Sequence, residues 1–249
     1  MTGANIVMSI RTLKKKIHDL LLQNDVAGSL NMICRYPARR VINPLFSFLF
    51  SADELVKWRA VTAIGAVVAG LAEDDLESAR IVMRRLTWNL NDESGGIGWG
   101  SPEAMGEIMA RHQRLAEEYA KILVSYIRPD GNFLEHQVLQ RGVLWGLGRL
   151  AQVRPRLVRE AADLLHPYLE SEDPTLRGLA AWAAGAIGAE STQPGLRRLL
   201  DDNAAVEIFL NNRQVAYPIS RLAREALLAQ KLRQRPFADG NFFKIPGPD

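Results

Sequence analysis

Two side chains in this sequence sit at a spacing that could do chemistry. Trp88 and Asp92, in the string WNLND, are four residues apart. On a helix that spacing places an indole and a carboxylate on one face. A cation can stack on the indole, and a fixed carboxylate stabilises positive charge developing beside it. The stretch continues through Glu93, Gly95, Gly96, Gly98, Trp99, Gly100 and Ser101. Glycines let a backbone approach other groups closely. Ser101 followed by Pro102 reads as an N-cap and a first helical residue, and the free amides of such a helix start could hold an anion. The segment Trp88–Gly106 is therefore the candidate binding feature. The plainer alternative is an irregular crossing in which Trp88 and Trp99 fill the core.

Other chemistries find little support. His18, His112, His136 and His166 are scattered, without the spacing of a metal-binding helix. Cys34 stands alone, has no general base near it in sequence, and reads as a buried small residue. The string GGIGWG lacks both the G-x-G-x-x-G spacing and the preceding strand of a dinucleotide site. No metal site and no cofactor are expected.

The elements that must position these residues follow a period of about 40 residues. Leu55–Gly70, Leu139–Ala151, Leu176–Gly188 and Ser220–Gln230 share small residues at helical spacing. Trp145 matches Trp182, Arg59 matches Arg177, and Gly70 matches Gly188. The gap between the first two copies is about twice the period, so a further unit should begin near Gly98, in SPEAMGEIM. Glycine inside a helix costs about 1 kcal/mol relative to alanine, so the small residues imply close helix packing. Partner helices are expected at VINPLFSFLFS, Leu76–Leu90, Arg114–Ile127, Pro155–Leu169 and Pro194–Leu200, with Pro167 kinking or ending its helix. The fold class is all-α: a solenoid of about five helical hairpins over residues 40–231.

The ends are read separately. Residues 10–34 form a capping region, with Leu13, Ile17, Leu20 and Leu21 on one apolar face. Cys34–Pro44 reads as a linker because of Pro37 and Pro44. Val206, Ile208 and Leu210 alternate, Asn211-Asn212 can turn, and Val215 and Tyr217 alternate again, which predicts a β-hairpin over 204–218. It either covers the end of the array or offers an edge for strand addition. Residues 232–249 form a Pro-, Gly- and Phe-rich tail.

With 249 residues and a net charge of +3, the composition permits nucleic-acid binding without demanding it. Basic residues cluster at Arg11, Lys14, Lys15 and Lys16, at Arg35, Arg39 and Arg40, at Arg149, Arg154, Arg156 and Arg159, and from Arg221 to Arg235. They form either a phosphate-tracking stripe or a solvated surface interleaved with acids. No run of 18 apolar residues is present, so no membrane span is expected. The N-terminus lacks the apolar core and cleavage site of a secretory signal, and Met8 could serve as an alternative start. One cysteine and no signal imply a cytoplasmic protein.

The repeat residues resemble the HEAT-like repeat family, in particular the short bacterial version named after phycobilin lyases. The resemblance implies fold, and no bilin-handling residues map onto this chain. WNLNDESGGIGWGSPEAMGEI resembles the signature of an uncharacterised bacterial HEAT-repeat subfamily. WNLND also resembles the bacterial HEAT-like alkylpurine DNA glycosylases. That resemblance implies that Trp88 holds a damaged nucleotide, Asp92 stabilises the sugar cation and Arg141 supplies the later arginine. The leading expectation is a non-enzymatic scaffold with a protein partner, bound through the segment 88–106. The alternative is a DNA-binding protein with base-excision activity.

Overall fold

A computed structural model describes residues 8–91 and 98–233. Asp92, Glu93, Gly95 and Gly96 lie outside these residues, as does the tail beyond 233. Five long helices stack side by side in chain order: α4 (Glu54–Asp74), α6 (Ser101–Arg111), α8 (Gln137–Ala151), α11 (Pro174–Ile187) and α13 (Ile219–Arg233). Each is preceded by the partner of its hairpin. These are α3 (Ala38–Phe48), α5 (Leu76–Asn91), α7 (Gln113–Ser125), a broken run over 155–169 and the short α12 (Gln193–Arg198). Five units result, as the period predicts.

The starts of these helices are set by capping side chains that accept orphan amides. Asp53 accepts from Leu55 and Val56, and Asp173 from Thr175. His112 and His136 accept through Nδ1 from Leu115 and Val138, so two of the scattered histidines are caps. Gly188, in the left-handed region at φ 75°, ends α11. It caps the helix and also packs closely, since a Cβ there would run into the Arg233 side chain of α13, whereas its counterpart Gly70 faces open space. Close packing recurs elsewhere. A Cβ on Gly106 of α6 would stand 2.4 Å from the Cα of Gly146 on α8, so these two backbones meet directly.

Several local expectations need correction. The first turn of α6 begins at Gly100, in the left-handed region at φ 74°, so the cap is Gly100 and Ser101 is already helical. The linker Cys34–Pro44 is mostly helix: α2 (Val26–Cys34) ends at Cys34, and α3 contains Pro44. The missing bond at Pro44 is offset by burial of Val41, Leu45, Phe46 and Phe48 around it. Cys34 is exposed, at the end of a helix whose buried residues are Ser29 and Ile33. The run 155–169 breaks into a 3-10 turn (Pro155–Val158), α9 (Ala161–Leu164) and α10 (His166–Leu169), the last holding Pro167 in its first turn. Helices α1 (Ile10–Leu21) and α2 pack on α3 and α4 and cap the stack, with Leu13, Ile17, Leu20 and Leu21 buried. α4 is long and apolar enough to cross a bilayer, but just over half of that stretch (56%) is buried within the stack.

The hairpin forms as predicted, between α12 and α13. Strand β1 (Ala205–Leu210) pairs antiparallel with β2 (Arg213–Pro218), Leu210 opposite Arg213. Asn211 and Asn212 both take positive φ, 50° and 63°, as a two-residue primed turn requires. The hairpin does not stay at the end of the array. β1 packs on α11, and Phe209 reaches α4 in the first unit.

Candidate functional site

The hairpin lies on the side of the stack that carries Trp58 of α4 and Trp145 of α8. These helices flank α6, and their indoles meet across it with centroids 4.8 Å apart. Trp182 of α11 continues the row 6.3 Å from Trp145, its ring seated in the space left by Gly148. Phe209 stacks on Trp58 at 5.1 Å with planes 6° apart. The Trp145 indole donates to the Phe209 carbonyl at 3.1 Å. Val206 fits where Gly178 has no side chain.

On this inner face α6 presents two buried carboxylates one turn apart, Glu103 and Glu107. Glu107 accepts from Arg111 and from Arg149 of α8, both at 2.6 Å. Its stem lies against Gly65, where a Cβ would be 2.5 Å away. Arg111, Arg149, Thr62 and the turn Asn211-Asn212 border a hollow of about 210 Å³.

Glu103 has a different setting. Its Oε1 is 3.8 Å from Lys57 Nζ, and its Oε2 is buried without a hydrogen-bond partner. A Cβ on Gly142 would stand 2.6 Å from that Oε2. Burial pushes the Glu103 carboxyl above its ordinary range; Lys57 and the residue's own amide oppose the shift. Glu103 therefore occupies the helix start that the sequence offered to an external anion. Together with Glu54, Lys57, Trp58, Arg141, Trp145 and Glu207 it borders a cavity of about 470 Å³ beside the hairpin. Lys57 Nζ lies 5.1 Å over Trp58 and 3.5 Å from Glu54.

The residues singled out from sequence are not drawn into one place. Trp88, on α5, is 72% exposed, and Trp99 is 42% exposed, so neither fills the core. Gly98 packs against Asn89, Leu90 and Leu139. Gly100 is held against Leu49, and Ser101 is fully buried with its Oγ unpartnered. Arg141 forms two hydrogen bonds to Asp173, at 2.7 and 3.0 Å, and so ties α8 to the cap of α11. The cavity it borders is walled by Trp58 and Trp145, not by Trp88. Sequence reading passed over Lys57, Glu103, Glu107 and Phe209. The readable signal was two acids at i and i+4 in the otherwise small and apolar SPEAMGEIMA.

The fold has known counterparts. Residues 132–208 match the family of HEAT repeats. An uncharacterised protein of Archaeoglobus fulgidus is 27% identical over 182 residues, covering 73% of this chain and 92% of that protein. The crystal structure of an engineered protein superposes with a TM-score of 0.52 at 17% identity, over 88% of this chain and 96% of the other. A designed armadillo repeat protein in complex with the peptide (KR)4 superposes with a TM-score of 0.50 at 18% identity, over 88% and 99%. At these identities the structural likeness is one of fold: the chain has a HEAT-like helical repeat fold, and the match to the family of HEAT repeats is confined to residues 132–208.

Proposed function

From a HEAT-like repeat fold, we propose a non-enzymatic interaction module that takes an extended segment of a protein partner on its inner face. The observation that carries this reading is the hairpin itself. The inner face already holds an extended strand of its own chain, by ring stacking on Trp58 and by indole capture of a main-chain carbonyl at Trp145. Those are means by which a surface recognises a peptide backbone and its side chains. Space for a second segment remains beside β1, in the cavity of about 470 Å³. A structural neighbour in complex with the peptide (KR)4 supports the use of this fold for peptide binding.

The glycine-rich crossing extends this surface. Gly98 packs on Leu139, whose neighbour Val138 borders the cavity. Trp88 and Trp99 are exposed at either end of the crossing and supply apolar contact area to the partner, with Asp92, Glu93, Gly95 and Gly96 between them. The single cysteine supports placing the module in a reducing cytoplasm.

On the inner face a nucleic-acid reading is weaker because the arginines there are spoken for. Arg111 and Arg149 pair with Glu107, Arg141 with Asp173 and Arg177 with Asp202. A phosphate-tracking surface needs cations free to release counterions. The test is fluorescence anisotropy with labelled basic, neutral and acidic octapeptides and a labelled DNA duplex, across a salt series. Saturable peptide binding that Trp145→Ala abolishes supports the proposal. DNA binding that falls steeply with salt, with no peptide bound, overturns it.

A further inference from the structure

We propose that the cavity between α4, α6, α8, α11 and the hairpin is a binding site for an organic cation, an ammonium or guanidinium group held by Glu103 and the indoles of Trp58 and Trp145. The proposal deepens the partner reading above by naming the chemistry that would seat in the inner face.

Glu103 is the first reason. It is 5% exposed, and its Oε2 has no partner. A buried charge acceptor without a donor is costly, and the neighbours that do help, Lys57 and the residue's own amide, leave that oxygen unmet. The sequence nevertheless keeps room for it. Gly142 lies inside a helix, where glycine is disfavoured by about 1 kcal/mol, and any larger residue would press on the carboxylate. The fold thus keeps a buried carboxylate short of donors at the wall of the cavity.

The walls specify what kind of donor. Trp58 and Trp145 are largely buried and border the cavity, and indole faces attract cations, most strongly when desolvated. Lys57 shows the site working in miniature: its ammonium sits over Trp58 with Glu54 and Glu103 on either side. Charge remains in excess. Glu54 and Glu103 lie beside Lys57 and Glu207 borders the same cavity, while Arg141 is already paired with Asp173. No group of three or more His, Cys, Asp or Glu that could hold a metal ion exists among the described residues. An organic cation with a flat or methylene body suits the indoles better than a metal ion. The volume, about 470 Å³, falls in the range of small-ligand sites.

A free amine and a basic side chain of a bound peptide share this chemistry, and the test separates them. Isothermal titration of the full chain uses L-argininamide and 1,4-diaminobutane in one arm and a Lys-Arg octapeptide in the other, at fixed ionic strength. Glu103→Gln keeps the shape and removes the charge. Saturable binding in either arm that weakens about thirtyfold or more in Glu103→Gln is the expected result. The free-amine arm gives a second readout in the wild-type protein: the indole N–H resonances of Trp58 and Trp145 shift on titration while those of Trp88 and Trp99 stay fixed. No saturable binding in either arm, or equal binding by Glu103→Gln without those shifts, overturns the cation site. A peptide that binds with no dependence on Glu103 sinks the cation site and leaves the partner reading standing. A free amine that binds where no octapeptide does leaves the cation site standing and sinks the partner reading.

Discussion

Trp145 donates its indole N–H to the carbonyl of Phe209, 64 residues further along the chain, at 3.1 Å. The bond fixes β1 against the inner face, and it is made by a buried donor to a backbone acceptor that faces away from β2. Trp145→Phe keeps an aromatic body and deletes the donor. The expected loss is about 1–2 kcal/mol, the cost of leaving a buried carbonyl unsatisfied. A urea titration should show a lower midpoint at unchanged slope, and hydrogen exchange should speed up in residues 205–218. An unchanged midpoint would mean that water replaces the indole.

Glu103 should make stability depend on pH in a direction opposite to that of a salt-bridged acid. Its carboxyl titrates above the ordinary value of 4.5 in the folded protein, so the folded state holds the proton more tightly than the unfolded chain. Stability from this group is complete below the unfolded value. It falls as pH rises above 4.5 and levels off once the folded carboxyl has ionised. The charged groups acting on it are Lys57 and Glu54 of α4, and Arg141 of α8 and Glu207 of β1 border the same cavity. Denaturation midpoints of wild type and Glu103→Gln, compared across this range, should show the decline only in the wild type.

Two glycine substitutions should act with opposite signs. Gly70 has nothing within 4 Å of a built Cβ, so Gly70→Ala gains helix propensity and stabilises by up to about 1 kcal/mol. Gly142→Ala places a methyl 2.6 Å from Glu103 Oε2 and should destabilise by about 1–3 kcal/mol through overpacking. Thermal melts of the pair decide the matter. A stabilising Gly142→Ala would show that the carboxylate can move aside.

Glu107 holds two arginines at once, Arg111 and Arg149, each at 2.6 Å. Both guanidiniums are partly exposed and can regain water, which softens the loss. Glu107→Gln should therefore cost about 1.5–3 kcal/mol, the range for hydrogen bonds to charged groups, and less at high salt. Urea midpoints at low and high salt give the measurement.

The repeat helices were legible because small residues recur at one position of each unit, and those residues pack helices. Leu139–Ala151 and Leu176–Gly188 fall within two residues of α8 and α11. Asn211-Asn212 announced the hairpin because few residues tolerate two successive left-handed conformations. Helix α2 escaped because only Ser29 and Ile33 of it are buried, too few to make a period. Pro44 suggested a break, although the burial of its helix outweighs the missing bond. The inner-face site was not legible, since it depends on Phe209 meeting Trp58 and on Glu103 meeting Gly142. No local period records contacts of that separation. Arg141 was noticed for a chemical role and is used to join neighbouring units.

In an ordinary stack each unit touches only its neighbours, so strain at one end fades along the row. Here the strand from the fifth unit rests on the first, through Phe209 and Trp58. That strut closes an open spring into a braced frame. Bending the array must shear the Trp58–Phe209 contact, so the hairpin resists a deformation that neighbour contacts alone would pass along the row.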